Sequence, residues 1–306
     1  MTMTYTLKSI EPQPNRIAVV TGANVGLGYE TAKALASKEL TVILACRNLD
    51  KAKKAMDRIK KSHPEAKLDA LALDLCSNKS IHSFVSAHNS KYKSLDLLIN
   101  NAGVMMPPYA ITEDGLESQM AANYFGHFLL TSLLLPTLEK TRGSRIVALS
   151  SLAHAWGEID FEDINSEKHY NPKEVYGQSK LACLMFAYEL ARQLQERNYQ
   201  TQSLAAHPGV TITEIGRNLN PVLVGLGHMI SPFIFQKPYE GAWPILRAAV
   251  DPNASNGEYY GPGGFRQYKG KAVKVSSDRN SRDEEKAKRL WKLTEQLVGI
   301  DFFVTT

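Results

Sequence analysis

Short apolar runs alternate with longer stretches of helical period along this chain. Ile17–Val20, Thr41–Ala45, Leu68–Leu73, Leu95–Ile99, Arg145–Leu149 and Gln202–Ala206 are brief and largely apolar at both parities. That is the pattern of strands covered on both faces. Between them, Tyr29–Lys38, Leu49–Lys61, Ser80–Tyr92, Leu116–Leu138 and Tyr176–Arg197 carry apolar residues at helical spacing, and Asp283–Val298 adds a final helix. Strict alternation predicts an α/β fold: a doubly wound parallel sheet with helices on both faces and right-handed crossovers. No repeat or linker divides the chain, so a single domain is expected over residues 16–300, after a polar N-terminal tail of residues 1–15. Ala153–Pro172 and Ile215–Pro238 exceed ordinary connections, and surplus loop in a compact domain usually serves a site. The second, within 213–238, is apolar and glycine-bearing, as a substrate lid needs.

Composition narrows the class without naming it. A length of 306 residues suits one large α/β domain, and 43% hydrophobic with 22% charged residues is ordinary globular usage. The balance of 36 basic against 31 acidic residues, a net +5, is too mild to argue for nucleic acid. A local +6 between Arg266 and Lys292 reads as a solvated surface. Tyr124–Leu138 and Val222–Phe235, the greasiest stretches, fall short of the roughly 18 apolar residues a membrane span requires. Cys46, Cys76 and Cys183 are scattered without metal-ligand spacing, so no metal site and a reduced, cytoplasmic setting are expected.

Candidate chemistry begins after the first strand. Ile17–Val20 runs into Thr21-Gly22-Ala23-Asn24-Val25-Gly26-Leu27-Gly28 and then a helix. Glycines there let backbone turn sharply and approach a pyrophosphate, which the positive end of the helix then holds. This predicts a Rossmann-type nucleotide site. Asp74 follows the third strand, where its carboxylate can accept from an adenine amino group. Asn100-Asn101-Ala102-Gly103 ends the fourth, beyond the carboxyl edge where dinucleotides lie. The second strand ends in Cys46, Arg47 and Asn48 rather than the carboxylate that accepts from a ribose 2′-hydroxyl. Arg47 can instead bind a 2′-phosphate, with Asn48 as a neutral donor, so NADP(H) is the expected cofactor.

Tyr176 and Lys180 stand four apart on a predicted helix and therefore share a face. An ammonium beside a phenol favours the phenolate and makes tyrosine a usable proton shuttle. Ser151, just past the fifth strand, can hold a carbonyl oxygen at the same edge.

With these residues in order the sequence resembles the short-chain dehydrogenase/reductase family: Thr-Gly-x-x-x-Gly-x-Gly at 21–28, Asn-Asn-Ala-Gly at 100–103, Ser151, Tyr-x-x-x-Lys at 176–180 and Pro-Gly at 208–209. Within it the chain is most similar to the retinol-dehydrogenase-like branch, through Leu44–Arg47, Asn123–Thr131, Ser150–His154, Ser179–Ala182 and the insert holding Ile159–Asn165. The resemblance implies that Tyr176 is the proton donor or acceptor, and that Lys180 holds the nicotinamide ribose. It further implies that Ser151 binds the substrate oxygen, Asn123 holds a water in the proton relay, and Thr213 touches the nicotinamide side. Leu75, Pro208 and Val210 join Gly22, Asn24, Gly26, Leu27, Gly28, Arg47, Asn48, Asp74, Asn101, Ala102 and Gly103 as expected cofactor positions. Ala148 and Tyr124 depart from the branch and are expected to alter the pocket wall. The first fifteen residues are polar, unlike the apolar N-terminal segment of the branch's membrane-anchored members, so no anchor is expected. The expected activity is NADP(H)-dependent interconversion of carbonyl and alcohol on an apolar small molecule. An idle nucleotide-sensing relative and a carbon–carbon double-bond reductase are the alternatives. The pattern leaves homo-oligomer formation open.

Overall fold

The computed structural model describes residues 5–211 and 236–304. Among these residues eight strands form one sheet: β1 (Ile17–Thr21), β2 (Thr41–Cys46), β3 (Leu68–Ala72), β4 (Leu97–Asn100), β5 (Arg145–Leu149), β6 (Gln202–Ala206), β7 (Tyr259–Pro262) and β8 (Ala272–Lys274). Their spatial order is 3-2-1-4-5-6-7-8. The first seven run parallel, and β8 pairs antiparallel with β7. The order reverses between β1 and β4, which opens the crevice where such folds bind ligands.

Among the described residues, seven α-helices longer than one turn flank the sheet: α1 (Gly26–Ala36), α2 (Leu49–Ser62), α3 (Asn78–Lys91), α4 (Gly126–Glu139), α5 (Pro172–Glu196), α6 (Pro238–Val250) and α7 (Glu284–Val298). Strand alternation divides the core in two. Val20, Leu44, Ile99, Val147 and Leu204 face α1, α2 and α6. Val19, Ile43, Leu98, Ile146 and Ala205 face α3, α4 and α5. On that second face α7 packs against α5. Trp291 and Phe302 meet Phe128 and Phe186 there, at ring separations between 4.8 and 6.0 Å. Within the first fifteen residues, Tyr5 and Ile10 are buried, and the Tyr5 hydroxyl donates to Leu246 O of α6.

Three elements differ from the sequence expectation. The sheet is not wholly parallel, because β8 folds back on β7 as a short edge hairpin. Helix α6, Pro238–Val250, was not among the expected helices. The expected helix Leu116–Leu138 is interrupted: a helical turn Ser118–Met120 leads into a wide π turn, Ala121–Phe125, before α4. Asn123 lies in that wide turn, the kind of local distortion that gathers at functional sites.

Candidate active site

The turn after β1 is built for close backbone approach. Gly22 sits at φ +66° and Gly26 at +59°, conformations that side-chain-bearing residues avoid. A Cβ on Gly22 would stand 3.0 Å from Ala102, and one on Gly28 would stand 2.6 Å from Gly22 O and crowd Asn101 Nδ2. No side chain caps α1 at Val25, so its leading N–H groups remain available to an anion at the positive end of the helix. Thr21 Oγ1 accepts from the main-chain N–H of Asn101 (2.9 Å) and Ala102 (2.8 Å), while Asn101 Nδ2 donates to Thr21 O. These bonds pin the β4 turn against the glycine loop. A Cβ on Gly103 would meet Asn123 Oδ1 at 3.0 Å and Lys180 Nζ at 3.4 Å, so the cradle runs on to the reacting residues. Its residues fit a dinucleotide.

Beside the loop, burial pushes the Cys46 thiol up to about 11, even though the N–H groups of Ala23 and Asn24 favour the thiolate. Arg47 is exposed. Asn48 caps α2 by accepting from Lys51 N, which commits its oxygen and leaves its NH₂ group as the donor. Arg58, one face of α2 further on, donates to Asn24 O at 3.0 Å and covers the Tyr29 ring at 4.3 Å. Asp74 uses Oδ1 to accept from Cys76 N, an Asx turn at the end of β3. Leu75 is buried, and its carbonyl abuts Gly126, where a Cβ would not fit. Leu27 packs near Gly241 of α6.

Ser151 caps a 3₁₀ turn, Leu152–Trp156, its Oγ accepting from Ala153 N. Asn171 caps α5, with Pro172 in the first turn, and so fixes where Tyr176 and Lys180 emerge. Lys180 is buried, lies 6.0 Å from the Tyr176 ring centre and donates to Leu149 O at 3.2 Å. The two segments are held together by glycine against glycine. A Cβ on Gly157 would strike Gly177 O, and one on Gly177 would stand 2.9 Å from Trp156. His154 is buried, its Nδ1 facing Ser151 O and its Nε2 accepting from Asp278 N. Burial holds it below the usual histidine range.

The side-chain amide of Asn123 is engaged with protein groups. Its Oδ1 accepts from Val104 N, and its Nδ2 donates to both Val104 O and Ser179 Oγ. The amide thus clamps the Val104 segment to α5. Tyr124 is engaged as well: its hydroxyl bonds to Thr294 of α7 and the ring is buried. Pro208 O accepts from Gln236 Nε2, and Val210 pairs with Tyr268 O through its N–H and with Gln236 N through its carbonyl. Thr213 and most of the expected lid at 213–238 lie outside the described residues. Sequence reasoning assigned no role to Thr21, His127, His154, Ser179 or Arg58. For Thr21 the signal was present, since it opens the glycine motif; the others act through contacts distant in sequence.

The chain matches the short chain dehydrogenase family over residues 16–223. Retinol dehydrogenase 12 from Mus musculus is 40% identical over 94% of this chain and 88% of its own length. Polyprenol dehydrogenase from Homo sapiens is 37% identical over 94% and 87%. Among solved structures, an uncharacterised protein from Mycobacterium paratuberculosis superposes with a TM-score of 0.82 at 36% identity, covering 98% of this chain and 99% of that one. The RhlG/NADP active-site complex of Pseudomonas aeruginosa, at TM-score 0.64 and 22% identity over 85% and 96% of the two chains, shares the fold. A glycine cradle at the strand reversal, with a Ser, Tyr and Lys gathered beside it, is the arrangement of this family, and the chain belongs to the short-chain dehydrogenase/reductases. Within them it falls in the retinol-dehydrogenase-like branch.

Proposed function

We propose that this protein interconverts a carbonyl and an alcohol on an apolar small molecule, with NADP(H) as its cofactor. The observation that carries this reading is the buried Lys180 ammonium beside the Tyr176 ring, on the helix turn packed against the Ser151 segment, next to an uncapped glycine loop. The names of the relatives, retinol and polyprenol dehydrogenases, support an apolar alcohol or carbonyl as substrate. Exposed Arg47 at the end of β2, with no carboxylate at Cys46, supports the phosphorylated cofactor.

Hydride transfer is the chemistry that a bound nicotinamide supplies. In the reductive direction Ser151 Oγ donates to the substrate oxygen and fixes it. The Tyr176 hydroxyl then delivers its proton to that oxygen as charge develops there. The Lys180 ammonium stabilises the phenolate left behind, and oxidation runs through the same groups in reverse. Three cysteines without a disulfide support a reducing, cytoplasmic setting. Among the described residues no helix is long and apolar enough to cross a membrane.

The test is a turnover screen with the purified protein, NADPH and NADH against retinal, long-chain aldehydes, small ketones and quinones, with the matching alcohols in reverse. NADPH-dependent reduction of an apolar aldehyde is expected. Tight NADPH binding without turnover on any of them would establish the idle, nucleotide-sensing alternative.

A further inference from the structure

His127 is almost wholly buried in the first turn of α4, and the mechanism above gives it no part. Its surroundings decide its protonation. Thr21 Oγ1 accepts two main-chain N–H bonds from the β4 turn, which fill its lone pairs and leave one proton to donate. Two acceptors lie in reach, Ile99 O at 3.3 Å and His127 Nε2 at 2.9 Å, and the ring nitrogen is nearer. An Nε2 that accepts places the ring proton on Nδ1. Nδ1 faces Asn123 O at 3.0 Å, a carbonyl that can only accept. Both ends therefore assign the same tautomer. Burial, helped by the Lys180 charge, holds His127 down to about 4, so the ring stays neutral at any working pH.

The bonds continue past both ends. Toward the cofactor, Thr21 holds Asn101 and Ala102. Toward the chemistry, Asn123 Nδ2 donates to Ser179 Oγ, and Ser179 Oγ donates to the main-chain carbonyl of Tyr176 at 2.9 Å. Asn123 O also receives the Cys183 thiol. A connected series thus runs from the nucleotide turn to the reacting tyrosine, and only one side chain in it spans from β1 to the wide turn.

We propose that His127 is a positioning residue: it ties the Asn101–Ala102 turn, through Thr21, to the main chain of Asn123, and so sets the cofactor cradle in register with Tyr176. The proposal rests on the reaction assigned above. It makes a prediction that a space-filling role does not, because the two ring nitrogens serve different ends. An asparagine amide at this position overlies Nδ1 and reaches Asn123 O but falls short of Thr21. A glutamine amide reaches the Nε2 position and leaves Asn123 O unserved.

His127→Phe, His127→Asn and His127→Gln would be compared by NADPH affinity from fluorescence titration, by kcat on the best aldehyde of the screen and by Tm. His127→Phe, losing both bonds, is expected to lower kcat about tenfold and raise the NADPH Kd about threefold, the scale of one buried hydrogen bond at each end. His127→Asn should recover most of kcat but not the affinity, and His127→Gln the reverse. Three variants with kcat and Kd within about twofold of the unmutated protein, whatever their Tm, would show a core filler and overturn the proposal. If His127→Phe does not fold, the opposed Asn and Gln splits decide alone. Absence of turnover in the unmutated protein overturns the assigned reaction instead. The titrations still judge His127 in that case, because equal Kd values in the Asn and Gln variants would refute it.

Discussion

A single oxygen separates Tyr176 from phenylalanine, and the proposed proton transfer passes through that atom. Tyr176→Phe should therefore leave NADPH affinity unchanged and lower kcat by about a hundredfold or more, the usual scale for losing a general acid. Steady-state kinetics beside a binding titration check it, and turnover within a few-fold of normal would remove Tyr176 from the mechanism. Cofactor choice is also set by single side chains. Cys46→Asp with Arg47→Ala puts a carboxylate where a 2′-phosphate would lie and removes the guanidinium. The kcat/KM preference should swing from NADPH toward NADH by about tenfold or more, since one charge-assisted hydrogen bond supplies about 1.4 kcal/mol. At this scale the sequence was most informative where spacing alone carries meaning. Tyr176 and Lys180 share a face because helices have a fixed period, and Gly22, Gly26 and Gly28 stand where backbone must turn. His127 and Asn123 were harder to judge. Their hydrogen bonds close across 106 and 19 residues, to Thr21 and Val104, and no local pattern encodes such partners.

At the scale of elements, the distance between Ser151 and Tyr176 is governed by backbone touching backbone at Gly157 and Gly177. Gly157 has ordinary dihedrals, φ −74° and ψ 146°, so alanine is conformationally tolerated there and only the contact forbids it. Gly157→Ala should force the 3₁₀ turn away from α5, lowering kcat at least about tenfold at a stability cost of about 1–3 kcal/mol, the usual range for overpacking. Kinetics with a thermal melt test this, and a variant that loses Tm but keeps kcat would show that the contact does not set the site. Strands β5 and β6 span the residues the apolar runs predicted, because parallel strands buried on both faces leave an unmistakable pattern. Three elements escaped for opposite reasons. Strand β7 holds Gly261 and Pro262, β8 is three residues long, and α6 carries Gly241 and Pro244, all residues that local preference assigns to loops. Tertiary packing overrides that preference here: Gly241 is the residue that admits Thr211 and Leu27 against α6.

For the whole molecule, buried histidines set an acid limit. Burial holds His127 near 4 and His207 near 3, and it also lowers His88 and His154. In the unfolded chain all four titrate near 6.5. Below that value the unfolded chain binds more protons than the folded one, so stability is fully present above about pH 7 and drains away as pH falls toward 4. His127 and His207 alone give a slope of roughly 2–3 kcal/mol per pH unit near pH 5. Glu117, pushed up by burial, opposes with at most one proton. Melting curves should show little change in Tm between pH 7 and 8 and a steep decline from 6.5 to 4, and a Tm unchanged between pH 7 and 5 would refute the burial of these rings. The aromatic seam between α4, α5 and α7 has a different consequence, one for synthesis. Phe128 and Phe186 are made early, but Trp291 and Phe302, which cover them, are made more than a hundred residues later, and the bonds that close the seam, Tyr124 to Thr294 and Ser132 to Phe302, each span 170 residues. A growing chain therefore carries an open aromatic face for much of its elongation, and a ribosome that stalls before residue 284 leaves a product whose sheet is nearly complete but whose surface invites aggregation.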